Sequence, residues 1–422
     1  MNLPAVPTDA AALAILLGAL LVPQAALTLW FVACVRSRVR DFRGRAAARN
    51  AAAEVPAEAE HDLRGCDPTL DRVLAALAGQ SHRRWRLQVV VDSTDDPAWP
   101  ATRGILDRLA ASGSPSWSGV VVAPLAARGP RGSLKCASLR QALTSLATET
   151  SVVALVDADA VVHPDWLVTL VDECTRPGIG AVSGNRWFDP CDDSIAGVVR
   201  AEWNAGAVVQ MTTFGIPWGG SLAVRREAME ACGWLDVIES SLCEDTALAA
   251  PFAAAGWGYR YVPTLTVVDE DDDVALGPLT RWIARQLLTA RLHHPLWPLV
   301  AAHGLTTSLA LATALAGLVA AAATARHHSL VLIAAALLGY EVVNVVMLLA
   351  IEAASRSAVA ARDERARPLS VARVCWWATM IPVTQIVYAA ATIRALVARS
   401  VEWRGVTYEI RRVSGRAEVA VR

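Results

Sequence analysis

The sequence predicts a mixed α/β domain with a mostly parallel sheet, tied to a membrane by transmembrane helices, one N-terminal and about three C-terminal. Three observations predict it. Short β-branched runs alternate with helical patterns through the middle of the chain. Four long apolar stretches lie outside that block. The apolar share of 54% and the mean hydropathy of +0.36 exceed what a soluble protein of 422 residues usually shows.

In chain order, Ala10 to Val35 is long enough to cross a hydrocarbon core, which takes roughly 20 apolar residues. Arg36, Arg38, Arg40, Arg43, Arg45 and Arg49 follow it and place its C-terminal end in the cytoplasm. Residues 1–36 therefore read as an anchor rather than a cleaved signal, and residues 37–56 as a basic, Ala-rich linker. Residues 57–298 form the cytoplasmic domain. Its strands are expected at Leu87 to Val91, Val120 to Ala123, Val152 to Val156 and Tyr259 to Val262. A helix is expected over Thr69 to Gly79, with Asp67 as N-cap and Pro68 at the first helical position, and another over Ser133 to Leu146. Ala53 to Asp62, charged and containing Pro56, reads as a poor buried strand.

Residues 299–396 hold the remaining apolar segments. Leu299 to Ala325 and Leu330 to Ile351 are separated by Arg326, His327, His328 and Ser329, a tight helical hairpin. Val374 to Ile393 contains Pro382. If all four segments cross, the basic tail, residues 397–422, lies outside, against the positive-inside rule, unless the last segment is re-entrant.

The formal net charge of -1 excludes the basic surplus of a nucleic-acid binder. Eight cysteines without a CxxC pair indicate neither a disulfide framework nor a zinc site. No obligatory protein partner is evident. Lys135 is the single lysine among 39 basic residues. In an Ala- and Arg-rich chain typical of a GC-rich bacterial genome, a retained ammonium points to chemistry that a guanidinium does not replace.

The residues that carry chemistry sit at strand ends. Asp92 ends the first expected strand, where a carboxylate binds a base or ribose or simply belongs to an Asp/Ser-rich turn. Val152 to Val156 runs into Asp157-Ala158-Asp159, whose two carboxylates fall on one side at period two and suit a hard divalent cation, Mg²⁺ or Mn²⁺. Such an ion stabilises charge developing on a phosphorylated leaving group. Glu244 and Asp245 open an expected helical run from Thr246 to Ala255, where a carboxylate serves as general base or merely charges a helix N-terminus. Trp218, Gly219 and Gly220 offer close backbone approach on the acceptor side, or a simple turn. Arg281 and Trp282, with Arg285 and Gln286, begin an amphipathic stretch whose arginines clamp phosphates or rest among headgroups. The acidic run Asp269 to Asp273 reads as a solvated loop, and His293 and His294 have no ligand-spaced partner.

Taken in order, Asp92, Asp157-Ala158-Asp159, Glu244-Asp245 and Arg281-Trp282 resemble the family 2 glycosyltransferases of the GT-A (Rossmann-like) fold, in particular the ceramide glucosyltransferase-like branch. Arg64 to Pro68 and the tail Trp403-Arg404-Gly405-Val406-Thr407-Tyr408 share that likeness. The resemblance implies that Asp92 contacts the nucleotide of a donor, that Asp159 with Asp157 holds the metal, and that Lys135 approaches the diphosphate. It also implies that Asp245 is the base, with Glu244 beside it, and that Arg281 and Trp282 bind the donor. The implied reaction moves a sugar from a nucleotide-sugar, UDP-linked in the leading reading, to a lipid acceptor with inversion, at a bacterial inner membrane. Pro278 stands where processive synthases of the family carry Gln or Arg. A polysaccharide or oligosaccharide synthase, and a non-catalytic membrane scaffold, are the alternatives.

Overall fold

The computed structural model describes residues 10–113, 115–270, 274–413 and 416–422. Its strands are β1 (Ala57–Leu63), β2 (Trp85–Val91), β3 (Gly119–Pro124), β4 (Val152–Val156), β5 (Ile179–Ser183), β6 (Arg186–Phe188), β7 (Ser221–Arg225), β8 (Gly258–Tyr261), β9 (Val267–Asp269), β10 (Ser400–Trp403), β11 (Val406–Val413) and β12 (Arg416–Val421). Seven form one sheet in the order β3-β2-β1-β4-β7-β5-β8. All neighbours are parallel except β7, which runs antiparallel between β4 and β5. The mixed α/β, mostly parallel architecture is thus borne out. The chain reverses direction across the sheet between β1 and β4, and such a switch point opens a crevice beyond the strands' carboxyl ends.

The reading of Ala53 to Asp62 is corrected. β1 is central, bonded to β2 and β4, and nearly all of it is buried. Its acids are accommodated individually. Glu58 accepts from Gln88 Nε2 at 2.6 Å and Ala147 N at 2.7 Å, and from the Thr150 hydroxyl. Burial, aided by the carboxylates of Glu58 and Asp62, pushes the Glu60 carboxyl well above its ordinary range. Burial also lowers His61 to about 4. Burial thus favours the uncharged form of both side chains, which is how a charged stretch fills a buried strand.

The helix expected after Asp67 spans Leu70–Ala78, so Pro68 lies outside it. Asp67 still closes the approach, its Oδ1 accepting from Thr69 N at 2.9 Å. The next helix, Leu134–Thr144, is capped by Ser133, whose hydroxyl accepts from Cys136 N at 3.1 Å. Residues 271–273 of the acidic run lie outside the described residues.

Four helices are long and apolar enough to cross a membrane: Ala10–Gly44, Trp297–Ala323, His327–Ala360 and Val371–Val397. The first lies alongside the third in one direction, Leu13 and Leu17 clustering with Ile333 and Tyr340, and Phe31 and Val35 with Leu348 and Ile351. Residues 37–52 are helical, continuing Ala10–Gly44 into Ala46–Ala52.

The last helix behaves differently. It continues past Pro382, and both its ends meet the α/β domain. Trp376 Nε1 donates to the Asp193 carbonyl at 2.8 Å near one end, and Arg291 Nη1 to the Leu396 carbonyl at 2.9 Å at the other. The tail sheet β10-β11-β12 then docks on the same domain, Gly132 N donating to the Val419 carbonyl at 2.8 Å and Val419 N to the Ser240 carbonyl at 3.0 Å. Domain and tail share one side, so the arginine-rich tail no longer conflicts with the positive-inside rule.

Candidate active site

Asp92, Asp157 and Asp159 follow the carboxyl ends of β2 and β4 and line a cavity of about 290 Å³ at the switch point. Asp157 and Asp159 converge as the period-two spacing requires. Nη2 of Arg186 lies 2.6 Å from Asp159 Oδ1 and 3.7 Å from Asp157 Oδ2, so one cationic atom reaches both carboxylates. Burial acts to raise the Asp159 carboxyl, but the guanidinium outweighs it and holds the group at about 2. The pair therefore fits a divalent cation in charge, donor chemistry and convergence.

Lys135 reaches the site from the first turn of Leu134–Thr144. Its Nζ lies 2.8 Å from Asp157 Oδ1 and 2.7 Å from Glu244 Oε1. Burial works to lower this ammonium, and the carboxylates of Asp157, Glu244 and Asp62 hold it well above its usual value. It thus acts first as a clamp between two acids.

Glu244 and Asp245 do not open a helix as expected; the helix begins later, at Ala249. The two acids also differ in access. Glu244 has no exposed surface and lies outside the main cavity's lining, its carboxyl pushed by burial, against Lys135, to about 7. It lies behind the cavity wall, paired with Lys135. Asp245 faces the cavity. Its Oδ2 accepts from Gly219 N at 2.8 Å, and its Oδ1 from Thr246 N at 2.5 Å and the Cys243 thiol at 2.9 Å.

The glycine pair packs closely against the acids. A Cβ on Gly219 would lie 2.1 Å from Glu244 Oε1, and one on Gly220 would lie 2.1 Å from the Trp218 ring and 2.6 Å from Asp157 Oδ2. Trp218 lines the cavity, with Arg186 over its ring at 5.2 Å.

Asp92 Oδ2 is bound by Arg128 at 2.8 Å and by Arg64, while its buried Oδ1 has no hydrogen-bond partner among the described residues. On the helix Leu276–His293, Trp282, Arg285, Gln286 and Thr289 share the face toward the cavity. Arg281, one turn before Arg285, is exposed and lies outside the lining. Trp282 is fixed edge-on between Phe188, at 5.9 Å, and Trp203, at 5.6 Å. Arg186, Arg64 and the tail residues Trp403, Arg404 and Tyr408 complete the lining, and none was singled out by strand-end position.

A second cavity, of about 540 Å³ and mostly apolar, lies among the four apolar helices, Ile195–Phe214 and Leu276–His293. Asp245, Cys243 and Trp218 line both cavities.

The model of glycosyl transferase family 21 matches residues 21–415. Among solved structures, the chain is similar to the mannosyltransferase PcManGT from Pyrobaculum calidifontis in complex with GDP-Man and Mn²⁺, at 20% identity and a TM-score of 0.49, over 88% of this chain and 98% of that one. It is also similar to a mycobacterial protein, at 15% identity and a TM-score of 0.39, over 58% of this chain and 76% of that one. No curated protein matches it. Both structural likenesses are distant, and the assignment rests on the family match, which bears out the ceramide glucosyltransferase-like resemblance of the motifs. Because that match takes in the acidic strand ends, the apolar helices and most of the tail together, the chain belongs to glycosyl transferase family 21 and is a glycosyltransferase with four helices long and apolar enough to cross a membrane.

Proposed function

We propose that this enzyme transfers a single sugar from a nucleotide-sugar in the polar cavity to the hydroxyl of a lipid that enters from the apolar one. The observation that carries this reading is the position of Asp245, whose side chain lines both cavities. Only an acid at that seam reaches a lipid hydroxyl and a donor at once.

In this reading Asp245 takes the hydroxyl proton as the oxygen attacks the anomeric carbon, and the bond from that carbon to the diphosphate oxygen breaks on the opposite face, inverting the centre. Three donors, Gly219 N, Thr246 N and the Cys243 thiol, fix the carboxylate's orientation. Asp157 and Asp159 would hold Mg²⁺ or Mn²⁺, which as a Lewis acid stabilises charge on the departing diphosphate. Asp92 Oδ1 accepts from the nucleotide, and Trp218 and Trp282 keep water from the reacting carbon. No Lys or Arg lines the apolar cavity, so an acceptor with an uncharged head enters without an uncompensated buried charge. The arginines after Ala10 to Val35 support a catalytic domain on the cytoplasmic face of a bacterial inner membrane.

Detergent-purified enzyme incubated with UDP- and GDP-sugars and a bacterial lipid extract, with and without a chelator, tests this. A sugar-bearing lipid should form only with divalent metal present. Transfer solely to water, or to a growing soluble saccharide, would sink the lipid reading.

A further inference from the structure

The tail is more than a basic extension, because its tip stands in the polar cavity. β10 and β11 pair with Trp403 opposite Val406, leaving Arg404 and Gly405 alone in the turn. Both have left-handed backbone, φ 47° and 74°, as a two-residue hairpin turn demands. Glycine suits that conformation, whereas arginine carries a steric cost, and a side chain kept there at a cost points to use.

Arg404 is clasped to the turn that follows β1. Its Nη1 donates to the Arg64 carbonyl at 2.6 Å, and Arg64 Nε donates back to the Arg404 carbonyl at 2.9 Å. On the inner side of this clasp is the acidic cavity. On the outer side is an open groove of about 420 Å³ lined by Gly65, Cys66, Asp67 and Asp96, with Arg64 and Arg404 lining both spaces. The clasp is made of two side-chain hydrogen bonds and no strand ladder, so opening it leaves both sheets intact.

Trp403, beside the tip, packs under the guanidinium of Arg285 at 5.1 Å. Arg285 is largely buried, and among the described residues it has no carboxylate partner, in contrast to Lys135 and Arg186. The cavity thus holds one guanidinium without a carboxylate partner and a second, Arg404, which among the described residues is engaged by a carbonyl and, at 3.8 Å, by Asp67. Paired guanidinium forks match the oxygens of a diphosphate.

We propose that the C-terminal hairpin is a lid on the donor site, and that Arg404 and the Trp403-stacked Arg285 bind the donor's diphosphate. The proposal rests on the nucleotide-sugar reading above. The donor enters through the groove when the Arg64–Arg404 clasp opens, and re-closure brings Arg404 onto the phosphates.

Binding of UDP, GDP and inorganic pyrophosphate to the full-length enzyme with Mn²⁺ tests it, comparing wild type, Arg404→Ala, Arg404→Lys and Arg285→Ala by calorimetry. Each alanine variant should weaken diphosphate binding at least about tenfold, and Arg404→Lys should recover part of the loss. Trypsin cleavage after Arg404 in wild type, followed by mass spectrometry, gives a readout independent of variant folding, and the diphosphates should slow it at least about fivefold. Binding within about threefold of wild type for both alanine variants, or cleavage unaffected by ligand, overturns the lid. A wild type that binds none of the three ligands defeats the donor reading itself, which separates the two failures.

Discussion

The two cavities that meet at Asp245 are built on opposite principles. The polar one is walled by ion pairs: Lys135 between Asp157 and Glu244, Arg186 between Asp157 and Asp159, and Arg64 and Arg128 on Asp92. Its acids are paired with cations before any ligand arrives, which lets many of them sit together at a strand end. The apolar one, nearly twice the volume, has no lysine or arginine in its wall. The difference teaches that the ion pairs are gathered in the polar cavity, and that Asp245 is the carboxylate that lines both.

The strongest way to break this comparison is to remove the shared acid. Asp245→Asn should lower lipid glycosylation about 10³-fold, read by radiolabelled-sugar transfer, while nucleoside diphosphate binding stays within about threefold of wild type. Retained turnover would move the base elsewhere. Next, Asp159→Asn removes half of the convergent pair, and the Mn²⁺ concentration for half-maximal activity should rise at least about tenfold in a metal titration.

The apolar side is probed at Gly206, where an added Cβ meets nothing within 4 Å. Gly206→Leu projects into the lipid cavity and should raise the acceptor KM about tenfold without changing the donor KM. Equal effects on both KM values would mean that the cavities are not separate binding spaces. It also places a better helix former within Ile195–Phe214, so thermal stability should not fall.

The smallest effect concerns the sheet beneath the polar cavity. Glu60 keeps its proton in the folded state to a pH well above its ordinary pKa, whereas the unfolded chain releases it. The resulting cost is absent below pH 4.5 and grows as pH rises toward the folded pKa. Glu60→Gln should therefore raise Tm by about 2–4 °C at pH 8 and by less at pH 5, measured by thermal scans. A larger gain at pH 5 would mean that Glu60 is ionised in the core.

Legibility in the sequence followed the range of the interaction. β4 and its acidic end were readable because five apolar residues followed by Asp157 and Asp159 are a local pattern, and period two alone puts both carboxylates on one side. The apolar helices were readable for the same reason. β1 was not, since its charges are tolerable only with Gln88, Ala147 and Thr150 supplied from elsewhere in the chain. Nor was β7, an antiparallel strand inserted between β4 and β5.

The sequence by itself determined the membrane attachment, the α/β class, the acidic strand ends and the family resemblance, because hydrophobic period and turn chemistry act over a few residues. Tertiary structure alone decided that Arg186 and Lys135 neutralise those acids and that Arg285 rather than Arg281 faces the cavity. It alone put the last helix's two ends on one domain, folded the tail over the donor side, and set Asp245 between two cavities. Each of these depends on contacts between residues far apart in the chain, whose partners no local pattern specifies.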